Sequence, residues 1–248
     1  MNRPFLPITL LWVAALISPM PVFAESIADA DALYEQGGMV NFYNAIAMYE
    51  RILGKNPGIF EANWKCARAL REYGEAAKKG QVEGWKKVCA EYGKKGMIYG
   101  AKAREIDPAN PAGYYYFGLS VGIYSDGTSI LTALKEGLKD KTQINFEKVY
   151  ELDKMYDDAG SILALGRFWA VLPWPLAEKQ KALAYYREFQ QTEYFQSSTE
   201  GRIYLSELLI AIGGERNIAE AKELLKQAVQ SREPYFSNWA RRLLSKIK

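Results

Sequence analysis

A nearly unbroken series of helical segments, separated by short breaks, runs through the sequence. Apolar residues recur with the helical period from Ile27 to Ile247, and no stretch shows the convincing alternation of a strand. The breaks are rich in glycine, proline, asparagine and aspartate, which end helices. The pattern predicts twelve helices, over 27–36, 42–53, 59–73, 82–106, 111–124, 129–138, 144–156, 159–170, 177–191, 199–212, 218–230 and 235–247. We therefore expect an all-α chain of about six antiparallel helix pairs.

Small and large residues alternate within these segments in a recurrent order. One kind of helix places a small residue, a large residue four positions later and an apolar residue three after that. Such second helices carry Ala45, Tyr49 and Ile52; Ala182, Tyr186 and Phe189; Ala221, Leu225 and Ala228; and the glycine variant Gly96, Gly100 and Ala103. Matching first helices carry Tyr114, Phe117, Gly118 and Val121, or Ile162, Leu165, Gly166 and Trp169. With a period of roughly 34 residues, this order predicts a degenerate tetratricopeptide (TPR-like) helical-hairpin superhelix, an α-α solenoid.

The first residues predict a secretory signal peptide. Arg3 supplies the positive charge, residues 8–17 an apolar stretch of about ten residues, and Ala24 a small residue at a cleavage site. Cleavage after Ala24 would leave a single helical domain, 25–248. We expect this domain to be periplasmic or secreted and not to be stably inserted in a membrane. An uncleaved anchor is the alternative, but the apolar stretch is shorter than the roughly 20 residues that span a bilayer.

The chain contains no histidine, which removes several classes of site at once. Ser-His-Asp and Cys-His catalysis, imidazole metal sites and histidine general bases all need that residue. The sequence also lacks phosphate-loop and dinucleotide motifs. We therefore predict a non-enzymatic protein with no metal and no cofactor. The near balance of 32 basic and 29 acidic residues argues against nucleic acid as a partner.

One pentapeptide imitates a catalytic motif. Residues 118–122 spell G-x-S-x-G around Ser120. A nucleophile elbow needs a strand-to-helix turn and a histidine, whereas this stretch lies inside a predicted helix. We expect its glycines to permit close helix packing instead.

A carboxylate cluster leaves a hydrolase open as a less favoured function. The acidic residues near one helix end are Glu147, Glu151, Asp153, Asp157 and Asp158. Paired carboxylates hydrolyse glycosides, but the same spacing beside Lys154 is typical of a solvated helix face.

Cys66 and Cys89 fall in one predicted helical hairpin. If the turn centres near Ala77, antiparallel packing brings the two cysteines level. A disulfide would then close a loop of about 24 residues and contribute roughly 3 kcal/mol. The alternative is two buried free thiols.

Four segments resemble more specific families. They are residues 102–118 (KAREIDPANPAGYYYFG), 164–174 (ALGRFWAVLPW), 181–189 (KALAYYREF) and 201–209 (GRIYLSELL). Their order resembles the TatT-type accessory component of TRAP transporters and the regulator of microtubule dynamics family. The resemblance implies a TPR-like superhelix that works by binding and, for the TatT type, a periplasmic substrate-binding protein as partner.

Five residues are candidates for contact with a partner or ligand. Tyr115 and Tyr116 follow Tyr114 around one helix, so one of the pair should point to a groove or to solvent. Arg167 and Arg202 each follow a glycine, where an arginine forms a planar clamp for a carboxylate or pairs with a nearby acid. Trp174 lies in a connector between two prolines, either exposed or capping the core.

These observations favour an exported adaptor that binds a protein partner. The alternative is a carrier whose aromatic-lined cavity between helices holds a small ligand. The sequence leaves homo-oligomer formation and the choice of groove or cavity open.

Overall fold

The computed structural model describes residues 26–247 and contains twelve α-helices and no strand in that range. The helices are α1 Ile27–Gln36, α2 Met39–Lys55, α3 Phe60–Lys79, α4 Trp85–Ile106, α5 Pro111–Gly127, α6 Ile130–Lys135, α7 Leu138–Asp153, α8 Tyr156–Val171, α9 Lys179–Gln190, α10 Thr199–Ile212, α11 Glu215–Ala228 and α12 Pro234–Leu244. A short 3-10 turn, Glu193–Gln196, precedes α10. The all-α prediction is confirmed. The predicted signal peptide and its cleavage after Ala24 lie outside the described residues.

The helices pack as antiparallel neighbours, α1 with α2, α3 with α4, α5 with α7, α8 with α9 and α10 with α11. Five pairs form rather than about six, because α6 has only six residues and α12 ends the stack alone. The prediction missed the boundary at Gly137, whose φ of 65° lets the chain turn directly into α7. Within residues 26–247, none of the helices is both long and apolar enough to cross a bilayer.

Small residues accept large ones at the helix contacts, as the sequence order predicts. A Cβ added to Gly166 on α8 would lie 2.5 Å from the Tyr186 ring of α9. One added to Gly100 on α4 would lie 2.9 Å from the backbone of Phe117 on α5. Because these helices approach so closely, the large partners are buried: Tyr186 is 1% exposed and Phe117 7%. The alternation of sizes therefore fixes which helices interlock.

One junction departs from ordinary backbone geometry. Asp157, Asp158 and Ala159, in the first turn of α8, have φ of 50°, 58° and 59°. Left-handed conformations cost roughly 1–2 kcal/mol for each L-residue. The turn is held by burial of Ala159 and by the contacts of Asp157 described below.

Candidate functional site

The first helices of the pairs lie side by side and direct polar and aromatic side chains toward one another. Helix α3 packs on α5, and α10 packs on both α8 and α12. We call the following side chains the inner face: Tyr34, Trp64, Arg68, Arg71, Tyr116, Asp157, Arg167, Glu200, Tyr204 and Tyr235. The charge of Glu200 on α10 contributes to the raised pKa of Arg71 on α3, and Lys79 at the end of α3 pairs with Glu233 beside α12, so the two halves of the chain face each other across this surface.

Arg68 is the centre of the N-terminal half of the inner face. Its guanidinium carbon lies 3.8 Å from the ring centroid of Tyr34 and 5.2 Å from that of Trp64. Trp64 stacks on Tyr116, with centroids 5.4 Å apart and planes at 12°. A terminal nitrogen of Arg68 lies 3.8 Å from Asp31, but its buried Nε has no hydrogen-bond partner among the described residues. Aromatic rings thus hold a cation with one unused donor.

Arg71 lies one turn further along α3. It pairs with Glu72, lies 3.9 Å from Glu75, and also has a buried Nε without a partner in residues 26–247. Burial acts to lower the pKa of Arg71, but the carboxylates of Glu72, Glu75 and Glu200 outweigh it and raise that pKa. The guanidinium therefore stays charged inside the inner face.

Both candidate tyrosines are buried, so neither points to solvent, and of the two expected positions only the groove is left, for Tyr116 at the inner face. Tyr115 is 6% and Tyr116 5% exposed, while Tyr114 is only partly buried. Helix α5 packs against α4, α7 and α3 at once, which leaves little of either ring exposed. The Tyr116 hydroxyl donates to Asp157 at 3.5 Å. Burial, followed by the charge of Asp157, raises the pKa of both phenols.

Asp157 joins this cluster from the left-handed turn. The residue as a whole is exposed, but its carboxylate lies against the phenols of α5. Burial raises the pKa of Asp157, and the hydrogen bond from Tyr115 opposes that rise. The strained turn thus places a partly desolvated carboxylate at the edge of the inner face.

Arg167 forms the second centre of the inner face. It donates to Glu207 at 2.5 Å and lies 4.3 Å from the ring of Tyr204 and 5.6 Å from that of Trp239. The interpretation as an intramolecular ion pair is confirmed. Arg167 also lines a cavity of about 260 Å³ with Lys179.

The other two candidates lie apart from that cavity. Arg202 donates to the Gln196 carbonyl at 2.7 Å and to Thr199 at 3.5 Å, so it holds the 3-10 turn rather than an acid. Burial lowers the pKa of Arg202. Trp174 is 91% exposed in the connector between α8 and α9, which confirms the exposed alternative.

Cys66 and Cys89 are free and buried, so the alternative of two buried free thiols is confirmed and the disulfide alternative is wrong. The turn lies at 80–84, later than expected, and Cys89 is therefore level with Gly74, whose carbonyl its thiol approaches at 3.4 Å. Eight residues of α3 separate Gly74 from Cys66, which is roughly 12 Å along the helix. Bridged cysteines have Cα atoms roughly 6 Å apart.

The two motifs that resemble catalytic groups have structural partners. Ser120 is fully buried in α5 and donates to the Tyr116 carbonyl at 2.6 Å, so no nucleophile elbow forms there. Glu147 accepts from Gln143, and Glu151 pairs with Lys148, as on an ordinary solvated helix face. No group of three or more acids or cysteines in residues 26–247 is arranged to hold a metal ion.

Comparisons with known proteins add to this description. No family model matches the chain. A thermophilic TPR protein of Thermus thermophilus superposes with a TM-score of 0.59 at 19% identity, over 88% of this chain and 95% of that one. The chain has a TPR-like fold. Yeast Tom70 superposes over 85% of this chain and 52% of its own, at 18% identity and a TM-score of 0.33, which is too low to carry an argument.

Regulator of microtubule dynamics protein 1 of Mus musculus is similar to this TPR-like chain in sequence. The two are 24% identical over 196 residues, which cover 73% of this chain and 60% of that protein. The chain thus spans about three fifths of the relative's length.

Sequence reasoning missed the arginines of α3. Trp64, Arg68, Arg71 and Glu75 follow one another at spacings of three and four, so they share one face of the helix. That spacing was available as a signal. The unpaired Nε atoms of Arg68 and Arg71 could not be predicted from the spacing, because their hydrogen bonding depends on how α1, α5 and α10 pack against α3.

Proposed function

We propose that this protein is an exported TPR-type adaptor that binds a segment of a partner protein against its inner face. The observation that carries the proposal is Arg68, a cation held between Tyr34 and Trp64 with a buried, unused Nε donor. Tyrosine, tryptophan and arginine dominate the energetics of protein interfaces, and TPR-like superhelices bind along the surface formed by their first helices.

The place of action and the partner belong to the same proposal. The signal-like residues 1–24 support a periplasmic or secreted location. The segment 164–174, with its L-G-R-F-W and L-P-W order, supports a TRAP-type periplasmic substrate-binding protein as the partner. The name of the mouse relative concerns microtubule dynamics; the export signal favours a partner outside the cytosol instead.

The test is photo-crosslinking in the native host with the full chain. A photoreactive residue replaces Glu72, which borders Arg71 on α3, or Glu91, an exposed residue of α4, as the control. The proposal expects one substrate-binding protein or permease, identified by mass spectrometry, to crosslink from position 72 and not from 91. Equal capture from both positions would contradict binding at the inner face. Capture of envelope-assembly proteins alone from position 72 would keep the adaptor and remove the transport link.

A small-ligand carrier is the second candidate, favoured by the cavity beside Arg167. Its volume of about 260 Å³ limits it to a small ligand, and its two basic residues, Lys179 and Arg167, against the one acid Glu207, favour an acid as that ligand. A carrier predicts that organic acids raise the melting temperature of the protein, since a ligand that binds the native state stabilises it. The rise should disappear in Lys179→Met and persist in Lys94→Met.

A further inference from the structure

One end of the molecule exposes an unusual set of apolar side chains. Five of them, which we call the apolar end, are Leu131, Leu134, Val171, Trp174 and Leu176. Trp174 is 91% and Leu131 80% exposed, the highest values among the large hydrophobic side chains of the described residues. Single exposed apolar residues are ordinary, but a group at one place indicates a contact surface.

The two segments that carry this group lie at the same end of the fold. Leu131 and Leu134 are on α6, directly before α7, while Val171, Trp174 and Leu176 belong to the end of α8 and its connector. Helices α7 and α8 are consecutive and pack together, and Lys139 in the first turn of α7 lies 5.9 Å from the ring of Trp169 near the end of α8. The start of α7 therefore meets the end of α8.

The two segments that carry the apolar end are rich in lysine. Its two segments, 130–141 and 169–181, contain five lysines (135, 139, 141, 179 and 181) and three acids (136, 140 and 178), a local net charge of +2. Lys181 lies 3.8 Å from the ring of Trp169, and Lys139 pairs with Asp140. Lys135, Lys141 and Lys179 are exposed.

We infer that the apolar end docks reversibly on the surface of an anionic lipid bilayer. Tryptophan concentrates at membrane interfaces because its ring is apolar and its N–H is polar. Prolines on both sides restrict the backbone around Trp174, so little conformational freedom is lost when it inserts. The lysines supply charge complementarity to anionic headgroups. This contact is peripheral, and the three residues that test it, Trp174, Leu131 and Lys135, line neither the inner face nor the cavity beside Arg167.

Vesicle cosedimentation tests the inference. The chain without residues 1–24 is used, because the twelve helices of the described residues 26–247 carry their own apolar clusters, and circular dichroism checks its folding. The full chain is measured beside it. Vesicles of phosphatidylcholine alone are compared with vesicles that also contain phosphatidylglycerol. The variants are Trp174→Ser, Leu131→Ser and Lys135→Glu, with Ile98→Ser, a 64% exposed residue of α4, as the matched control.

We expect binding to the anionic vesicles only, weakened by added salt. Trp174→Ser should reduce it about tenfold, as expected for removal of one large apolar side chain. Leu131→Ser and Lys135→Glu should also reduce it, and Ile98→Ser should leave it unchanged. Brominated acyl chains should quench less fluorescence in Trp174→Phe than in the wild type.

Two outcomes would overturn the inference. The first is absence of binding to either kind of vesicle, which would leave Trp174 to a protein contact. The second is equal binding by Trp174→Ser and Ile98→Ser, which would locate any lipid contact elsewhere.

Discussion

Lys79 and Glu233, 154 residues apart in the chain, form an ion pair in which Nζ lies 3.2 Å from Oε2. The same Nζ lies 4.6 Å from the centroid of the Phe236 ring. The end of α3 therefore meets the start of α12, so the superhelix brings its N-terminal and C-terminal parts together. The inner face is bounded on that side by this contact.

Reversal of one charge in that pair should weaken the contact between α3 and α12. We expect each single variant, Lys79→Glu and Glu233→Lys, to lower the free energy of unfolding. The interaction between the two side chains should amount to about 0.2–1 kcal/mol, because both are partly exposed. The double variant should recover most of the loss. Urea denaturation of all four proteins measures this coupling, and additive single effects would contradict it.

Gly93 on α4 should not tolerate a side chain. An added Cβ would lie 2.5 Å from the backbone nitrogen of Tyr124 on α5, and backbone cannot move aside cheaply. We expect Gly93→Ala to lower the free energy of unfolding by about 1–3 kcal/mol. Gly122→Ala on α5, with no atom within 4 Å, should instead raise it by about 0.5–1 kcal/mol. Chemical denaturation compares the two variants. A lower free energy of unfolding in both would contradict the prediction, because it would mean that alanine destabilises α4 and α5 whether or not space is available.

Asp157→Asn should stabilise the protein at neutral pH. Burial raises the pKa of Asp157, so the folded state prefers the protonated form, and stability is lost as the pH rises through that raised pKa. Asparagine carries no charge, so its advantage should shrink as the pH falls and Asp157 becomes protonated. Asp158→Asn, in the same left-handed turn, controls for backbone preference. Melting temperatures measured across acid to neutral pH test this; an advantage independent of pH would contradict it. A search for hydrolase activity that Asp157→Asn abolishes can use the same protein.

Both thiols should be unreactive until the protein unfolds. Burial raises the pKa of Cys66 well above its ordinary value and that of Cys89 to about 11, which leaves little thiolate at neutral pH. We expect a thiol reagent to label neither residue in the native protein and both in denaturant without a reductant. Cys89→Ser, which keeps a donor for the Gly74 carbonyl, assigns the signals. Two unreactive sulfurs in denaturant would instead indicate a disulfide.

Most helices and their antiparallel order could be read from the amino-acid sequence, whereas the division between α6 and α7 could not. Helical periodicity and punctuation act over a few residues, so α1 and α10 were predicted at both ends. Gly166 and Tyr186 were each assigned to the recurrent order of small and large residues, and the structure packs the one against the other.

The surfaces depend on how the helices pack against one another. The burial of Tyr116, the offset of Cys66 from Cys89, the meeting of Lys79 with Glu233 and the exposure of Trp174 all depend on contacts or turns between separate helices. The physical reason is that a periodic pattern tells which side of one helix is apolar, whereas the position of that side depends on how distant helices pack.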